Sequence, residues 1–133
     1  VAPVGPNIGR YLELMRRYPK VQWLTIGDDL TAVTALGAAA KAVRLTAEVL
    51  IDLDIGQHRS GVRTKAGVIG LYKLLTGQPG LRMGGLHAYD GHVHDPDLKK
   101  RTAACAAAWS FVKESLAALK TAGCPSPGRR GVP

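Results

Sequence analysis

The 133-residue sequence is short of aromatic residues and cysteines and has no long apolar run, and each shortage excludes a class of protein. Aromatic residues make up only 5% of the chain, which leaves little surface for stacking on bases. Nucleic-acid binding is therefore not expected, although the formal net charge is +8, because the Lys and Arg residues are scattered. No run is long enough to cross a membrane, and no signal peptide opens the sequence.

The two cysteines, Cys105 and Cys124, lie far apart and form no CxxC pair. Neither a zinc signature nor a disulfide framework is predicted from such spacing. Both are expected to be free thiols in the protein core, which is typical of a reducing compartment, so a cytoplasmic location is expected.

Short apolar runs alternate with stretches of helical periodicity along the chain. At 46% apolar and 21% charged residues, the composition is that of a globular domain. Strands are predicted at 21–26, 46–53 and 81–89, and residues 1–4 are expected to be the remnant of an earlier strand. Helices are predicted to start at Pro6, after Asp28 or Asp29 as N-cap, at Thr64 and at Asp95-Pro96.

This strict alternation predicts an α/β fold with a parallel sheet and right-handed crossovers. Two architectures fit, namely part of a TIM (β/α)8 barrel or a small, open, doubly wound sheet. A whole barrel needs about 250 residues, so the chain would supply about half of one. Residues 1–123 are expected to form this partial barrel domain. The Pro-, Gly- and Arg-rich residues 124–133 are expected to be an irregular tail, whose abrupt change of composition suggests truncation or a shifted reading frame.

Alternation along the strands predicts which side chains share a face. In the predicted strand 46–53, one face carries Val49, Ile51 and Leu53 and the other carries Glu48, Leu50 and Asp52. A buried Asp52 would need a partner. In the predicted strand 81–89, one face is expected to carry Met83, Gly85, His87 and Tyr89 and the other face Leu86 and Ala88. The buried stripe of the last helix is predicted to be Cys105, Trp109, Val112, Leu116 and Leu119, with Gly123 as C-cap.

Polar side chains gather just after two of the strands, in the segments IDLDIGQHRSGV (51–62) and GLHAYDGH (85–92). Ligands of parallel α/β sheets bind beyond the carboxyl ends of the strands. The two strand ends therefore predict a site formed by Asp54, Gln57, His58 and Arg59 together with His87, Tyr89, Asp90 and His92. Arg63 is expected to be solvated.

His87, His92 and His94 lie close in sequence to Asp90 and Asp95, and imidazole and carboxylate groups are good metal ligands. No standard zinc spacing is present, and Asp95 is accounted for as a helix cap. No metal site is therefore predicted.

The two segments resemble the N-terminal barrel of fold-type III pyridoxal-phosphate enzymes. The sequence is most similar to D-threonine aldolases and D-serine dehydratase-like proteins of the alanine racemase superfamily. GPNIGRYLELMRRYP and the GDD turn resemble the preceding units of that barrel, so the likeness covers most of Pro3 to Gly123.

The resemblance implies pyridoxal phosphate as cofactor and assigns roles to individual residues. Arg59 would approach the phenolic oxygen of the cofactor, and Tyr89 would lie against its pyridine ring. Asp54 would orient Arg59 by a charge-assisted bond. His87 and His92 would line the substrate side as catalytic residues.

Departures from the family pattern are equally informative. The Schiff-base lysine of the family precedes everything matched here, and Lys41, Lys65 and Lys73 all fall in predicted helices. The glycine-rich phosphate segment and the C-terminal β domain, which carries the ligands of a divalent metal, are absent too. The chain alone is therefore expected to be catalytically silent.

The function that the resemblance implies is that of a fragment of a lyase cleaving D-3-hydroxy amino acids, for example D-threonine to glycine and acetaldehyde. Its partners would be a small D-amino acid substrate and further copies of itself in a homo-oligomer. D-serine dehydration and amino-acid racemisation remain open as alternatives of the same fold. A non-catalytic α/β module that binds a phosphorylated ligand or self-associates also remains open, since half a barrel exposes strand edges.

Overall fold

The computed structural model describes residues 2–124, so the predicted irregular tail lies outside the described residues except for Cys124. Helices and strands alternate through this range, as predicted. Their bounds are α1 Pro6–Arg17, β1 Leu24–Gly27, α2 Leu30–Ala42, β2 Ala47–Leu53, α3 Lys65–Gly77, β3 Leu81–Ala88 and α4 Leu98–Thr121. Residues 2–4 form no strand, so the expected strand remnant is wrong for those positions. None of the helices in this range is both long and apolar enough to span a membrane.

The three strands form one parallel sheet in the order β1-β2-β3. Ile26 of β1 pairs with Leu50, and Asp52 of β2 pairs with His87. Neighbours in the sheet are thus neighbours in the chain, as in consecutive strands of a barrel, whereas a doubly wound sheet reverses its strand order. All three carboxyl ends consequently lie along one rim.

The core lies between one face of the sheet and the helices. Val49, Ile51 and Leu53 of β2 are buried, as are the apolar stripes of α2 and α3. Each fully buried side chain such as Ile51 or Leu71 contributes roughly 1.5–3 kcal/mol to stability. The opposite face of β2 carries Glu48 and Asp52, so the predicted division of this strand is confirmed.

A β-bulge in β3 changes the faces of that strand. Val49 pairs with Met83, but the next residue, Leu50, pairs with Gly85, so Gly84 is an extra residue. Met83 consequently packs on the core side with Leu86 and Ala88, whereas it was predicted to share a face with His87. Gly85, at φ 139°, adopts a backbone conformation that favours glycine.

Helix capping follows the sequence at two of three predicted sites. The side chains of Asp29 and Thr64 accept hydrogen bonds from the backbone N–H groups of Ala32 and Gly67. Helix α4, however, begins at Leu98 with Asp97 as N-cap, so the predicted start at Asp95-Pro96 is wrong. The Asp95 carboxylate instead accepts from the N–H of Asp97, which stabilises the turn before the helix.

The buried stripe of α4 also differs from the prediction. It consists of Ala108, Val112, Ser115 and Leu119. Trp109 is 53% exposed and Leu116 is 40% exposed, so the small residues Ala108 and Ser115 occupy the buried side of α4. Cys105 is exposed and Cys124 buried, so the expectation of core thiols holds only for Cys124. Gly123, at φ 69°, follows the C-cap Ala122.

Candidate active site

A cleft of about 300 Å³, counting the part open to solvent, lies at the carboxyl-terminal rim of the sheet. The loop after β2 and the residues after β3 supply most of its wall, as predicted from the two polar segments. The lining residues are Ile26, Asp52, Leu53, Asp54, Gln57, Arg59, Ser60, His87 and Tyr89.

Asp54 organises the loop after β2, and its side chain is 0% exposed. One carboxylate oxygen accepts from the N–H groups of Gly56 and His58, at 3.0 and 2.9 Å. The other contacts Nδ1 of His58 at 3.1 Å and accepts from Nε of Arg63 at 2.7 Å. His58 adopts φ 55°, a conformation uncommon for a non-glycine residue, and these bonds hold it there. The carboxylate therefore fixes the path of the chain from the strand to Arg59.

The pKa of Asp54 is well below its ordinary value of 3.8. Burial by itself raises this pKa, but the backbone N–H groups of His58 and Gly56 and the side chains of His58 and Arg63 outweigh it. Asp54 is therefore an anion throughout the physiological pH range and does not serve as a proton donor.

This depressed pKa predicts how stability depends on pH. The contribution of Asp54 is fully present above the ordinary carboxyl value of 3.8 and is lost as the pH falls below it towards the folded-state pKa. Between these two values the free energy of unfolding should fall by up to about 1.4 kcal/mol per pH unit through this group alone. Denaturant unfolding of the chain and of Asp54→Asn across acidic pH checks this. An equally steep acid slope in both proteins would contradict it.

The expected partnership of Asp54 with Arg59 is wrong. Asp54 pairs with Arg63, which was expected to be solvated and which remains 61% exposed while making this ion pair. Arg59 makes no salt bridge within residues 2–124. Its guanidinium carbon instead lies 5.8 Å from the centroid of the Tyr89 ring. The structure thus brings Arg59 and Tyr89 to one cleft, while their cofactor-binding roles stay predictions.

Asp52 and His87 form a second polar group in the cleft. Nδ1 of His87 lies 2.7 Å from one carboxylate oxygen of Asp52, and the Ser60 hydroxyl donates to the other at 2.9 Å. The expectation that a buried Asp52 needs a partner is confirmed. Asp28 contributes from the neighbouring loop by accepting the N–H of Gly61 at 2.8 Å. Asp28 therefore stabilises the loop after β2, whereas the N-cap of α2 is Asp29.

His92 is not among the residues that line the cleft. Its ring packs on Gly56, where an added Cβ would come within 2.6 Å of Nε2. Its Nδ1 is buried and has no hydrogen-bond partner among residues 2–124. His94 is exposed. Within residues 2–124, no three His, Cys, Asp or Glu side chains converge in a group that could hold a metal.

Two residues of the cleft had no assigned role from sequence. Ser60 reaches Asp52 across eight positions of the chain, which depends on how the loop folds back. Gln57 lines the cleft, and its buried Oε1 atom has no hydrogen-bond partner in the described part of the chain. An acceptor of this kind can receive a hydrogen bond from a ligand. In the sequence, the position of Gln57 between Asp54 and Arg59 is the feature that places it in the cleft.

Comparisons with known proteins agree with this geometry. A 3-hydroxy-D-aspartate aldolase of Paracoccus denitrificans (strain Pd 1222) is 33% identical over 97 residues, which are 72% of this chain and 25% of that protein. A second 3-hydroxy-D-aspartate aldolase of Paracoccus denitrificans is 33% identical over 64 residues, 48% of this chain and 16% of that protein. The chain thus spans a quarter or less of these relatives.

Among solved structures, the D-threonine aldolase from Filomicrobium marinum superposes with a TM-score of 0.82 at 28% identity. The likeness covers 92% of this chain and 33% of that one. Together with the parallel β1-β2-β3 order, it confirms the prediction of part of a TIM-type barrel over the open doubly wound sheet.

Residues 9–130 match the family of the alanine racemase N-terminal domain, the superfamily to which the two polar segments pointed. The match covers more than half of the chain and includes every residue that lines the cleft. The chain belongs to the alanine racemase N-terminal domain family.

Proposed function

We propose that this chain forms part of the barrel of a pyridoxal-phosphate-dependent lyase that cleaves the Cα–Cβ bond of D-3-hydroxy amino acids. The observation that carries the proposal is the shared cleft of Arg59 and Tyr89 at the carboxyl ends of parallel strands. The names of the relatives, a 3-hydroxy-D-aspartate aldolase and a D-threonine aldolase, support aldol cleavage over D-serine dehydration or racemisation.

The residues of the cleft fit one side of the cofactor. Arg59 has no carboxylate partner within residues 2–124 and stays charged, so its guanidinium suits a phenolate oxygen. The Tyr89 ring offers a flat apolar surface on which an aromatic ring can lie. When bound, pyridoxal phosphate would supply an electron sink for the cleaved bond.

In this proposal, His87 handles the proton of the substrate hydroxyl. It lines the cleft and is held through Nδ1, so Nε2 is the atom left for exchange. Cleavage requires that the 3-hydroxyl loses its proton as the carbon–carbon bond breaks, and Nε2 would accept it. We assign His92 to the wall of the loop, because its ring packs on Gly56.

The divalent metal implied by the resemblance finds no ligand group within residues 2–124, and no step is assigned to it. No lysine lines the cleft either. Lys41 belongs to α2, Lys65 and Lys73 belong to α3, and Lys65 is within 3.6 Å of Glu114. We therefore propose that this chain alone binds the cofactor without covalent capture and does not turn over substrate.

Titration of the chain with pyridoxal phosphate tests this. We expect saturable binding followed by absorbance, and any adduct fixed by borohydride reduction should map by peptide mass to lysines outside the cleft. Arg59→Ala should weaken binding roughly 10- to 150-fold, since a hydrogen bond to a charged group contributes roughly 1.5–3 kcal/mol. Arg10→Ala on the exposed face of α1 removes the same charge elsewhere and should leave binding unchanged. Equal weakening by both variants would contradict the assignment.

Self-association is the second candidate function, and the sheet favours it. β1 and β3 each pair with β2 alone within the described residues, so each has a free edge. Leu24, at the start of β1, is 46% exposed. Light scattering on the same samples separates the two cases. A stable dimer that binds no pyridoxal phosphate would favour the non-catalytic, self-associating module.

A further inference from the structure

We infer that Asp52, backed by Ser60, is a positioning residue that fixes the tautomer of His87 and leaves Nε2 as the exchanging atom in the cleft. The catalytic meaning of this arrangement rests on the proposed function. The arrangement itself can be measured without cofactor or substrate.

The three side chains form one chain of contacts that begins inside the sheet. Asp52 is 4% exposed and pairs in register with His87 on the neighbouring strand. Its carboxylate, on β2, is therefore contacted by a side chain of the neighbouring strand β3. The Ser60 hydroxyl, from the loop, donates to the oxygen that His87 does not use. Each carboxylate oxygen of Asp52 thus has its own donor.

The protonation of His87 follows from the chemistry of its partner. An ionised carboxylate only accepts hydrogen bonds, so Nδ1 at 2.7 Å from Asp52 must carry a proton. In a neutral imidazole, Nε2 then keeps its lone pair. No protein group within residues 2–124 hydrogen-bonds Nε2. Nε2 can consequently accept one proton from a ligand and return it, while Asp52 stabilises the imidazolium in between.

The second His–Asp contact in the loop does not have these properties. His58 is 73% exposed and lies 3.1 Å from Asp54, whose carboxylate is shared with Arg63 and two backbone N–H groups. That contact holds the loop in place. His87, at 37% exposure, is the one placed in the cleft wall.

The experiment is a long-range ¹H–¹⁵N correlation spectrum of the ¹⁵N-labelled chain at about pH 8, above the ordinary range of histidine titration. We expect His87 to be mainly the Nδ1–H tautomer. In Asp52→Asn, the Ser60 hydroxyl can donate to the amide oxygen, which turns the amide NH₂ towards Nδ1. His87 should then change to mainly the Nε2–H tautomer, a result that loss of packing alone would not give.

Asp29→Asn is the matched control, because asparagine caps a helix as well as aspartate does and Asp29 lies outside the cleft lining. In Asp29→Asn, the tautomer of His87 should be the same as in the wild type. A wild-type His87 that is mainly Nε2–H would overturn the inference, even if Asp52→Asn failed to fold. So would a folded Asp52→Asn that keeps Nδ1–H. Failure of pyridoxal phosphate to bind would count against the proposed function and leave the tautomer result intact.

Discussion

Replacing Asp54 by alanine is expected to lower the free energy of unfolding by about 3 kcal/mol. A buried donor that loses its acceptor costs roughly 1–3 kcal/mol, and this carboxylate has several donors. The substitution leaves the N–H groups of Gly56 and His58 without their acceptor and releases Arg63. His58, held at φ 55°, loses both of its contacts to the carboxylate. Denaturant unfolding followed by circular dichroism measures the loss.

Two further variants make this result specific to the Asp54 carboxylate. Asp54→Asn keeps the shape and one acceptor oxygen, so its loss should lie between those of wild type and alanine. Asp90→Ala removes an exposed carboxylate that makes no side-chain hydrogen bond within the described range and should change stability by no more than about 0.5 kcal/mol. Equal losses from Asp54→Ala and Asp90→Ala would show that the buried network contributes nothing.

The second large effect is expected at Gly61, where alanine should lower the free energy of unfolding by roughly 2–4 kcal/mol. Gly61 adopts φ +101°, which an L side chain rarely adopts, and a Cβ there would collide with the backbone nitrogen of Asp54 and lie 2.6 Å from the carbonyl carbon of Leu53. Both obstacles are backbone atoms and cannot rotate aside. The loop would have to move away from the cleft.

Gly77→Ala is the matched control for this glycine. Gly77 ends helix α3, and an added Cβ meets nothing within 4 Å. Alanine there should stabilise the chain by about 0.5 kcal/mol, since it is the better helix former. The Gly61→Ala loss should be visible in the same unfolding experiment, and a loss below about 1 kcal/mol would mean that the loop tolerates the Cβ.

Local patterns predicted those parts of the fold that depend on neighbours in sequence. Thr64 before an apolar helical stripe specified the start of α3, and the alternation of Val49, Ile51 and Leu53 specified the core face of β2. The start of α4 was predicted two residues early, because Asp95 and Asp97 are both capping residues and only Asp97 reaches the N–H of Lys100.

The parts of the site that escaped prediction depend on distant contacts or on one inserted residue. Asp54 could reach either of two arginines, and only the folded loop shows that it binds Arg63 rather than Arg59. Ser60 finds Asp52 because the loop folds back to pair Val62 with Leu53. The position of His92 on Gly56 likewise joins two loops that sequence periodicity cannot relate.

The extra residue at Gly84 has a consequence for how the interior of this half-barrel could be redesigned. Arg82, before the bulge, donates to Glu48, and His87, after the bulge, contacts Asp52. In a regular strand, residues 82 and 87 would face opposite sides, but the extra residue puts both on the same side. Deleting Gly84 would remove the extra residue and let β3 alternate regularly, so Leu86 would keep its core-facing position and His87 its place opposite Asp52. A deletion one residue further along β3, at Leu86, would leave the bulge in place and would turn His87 away from Asp52 towards the core.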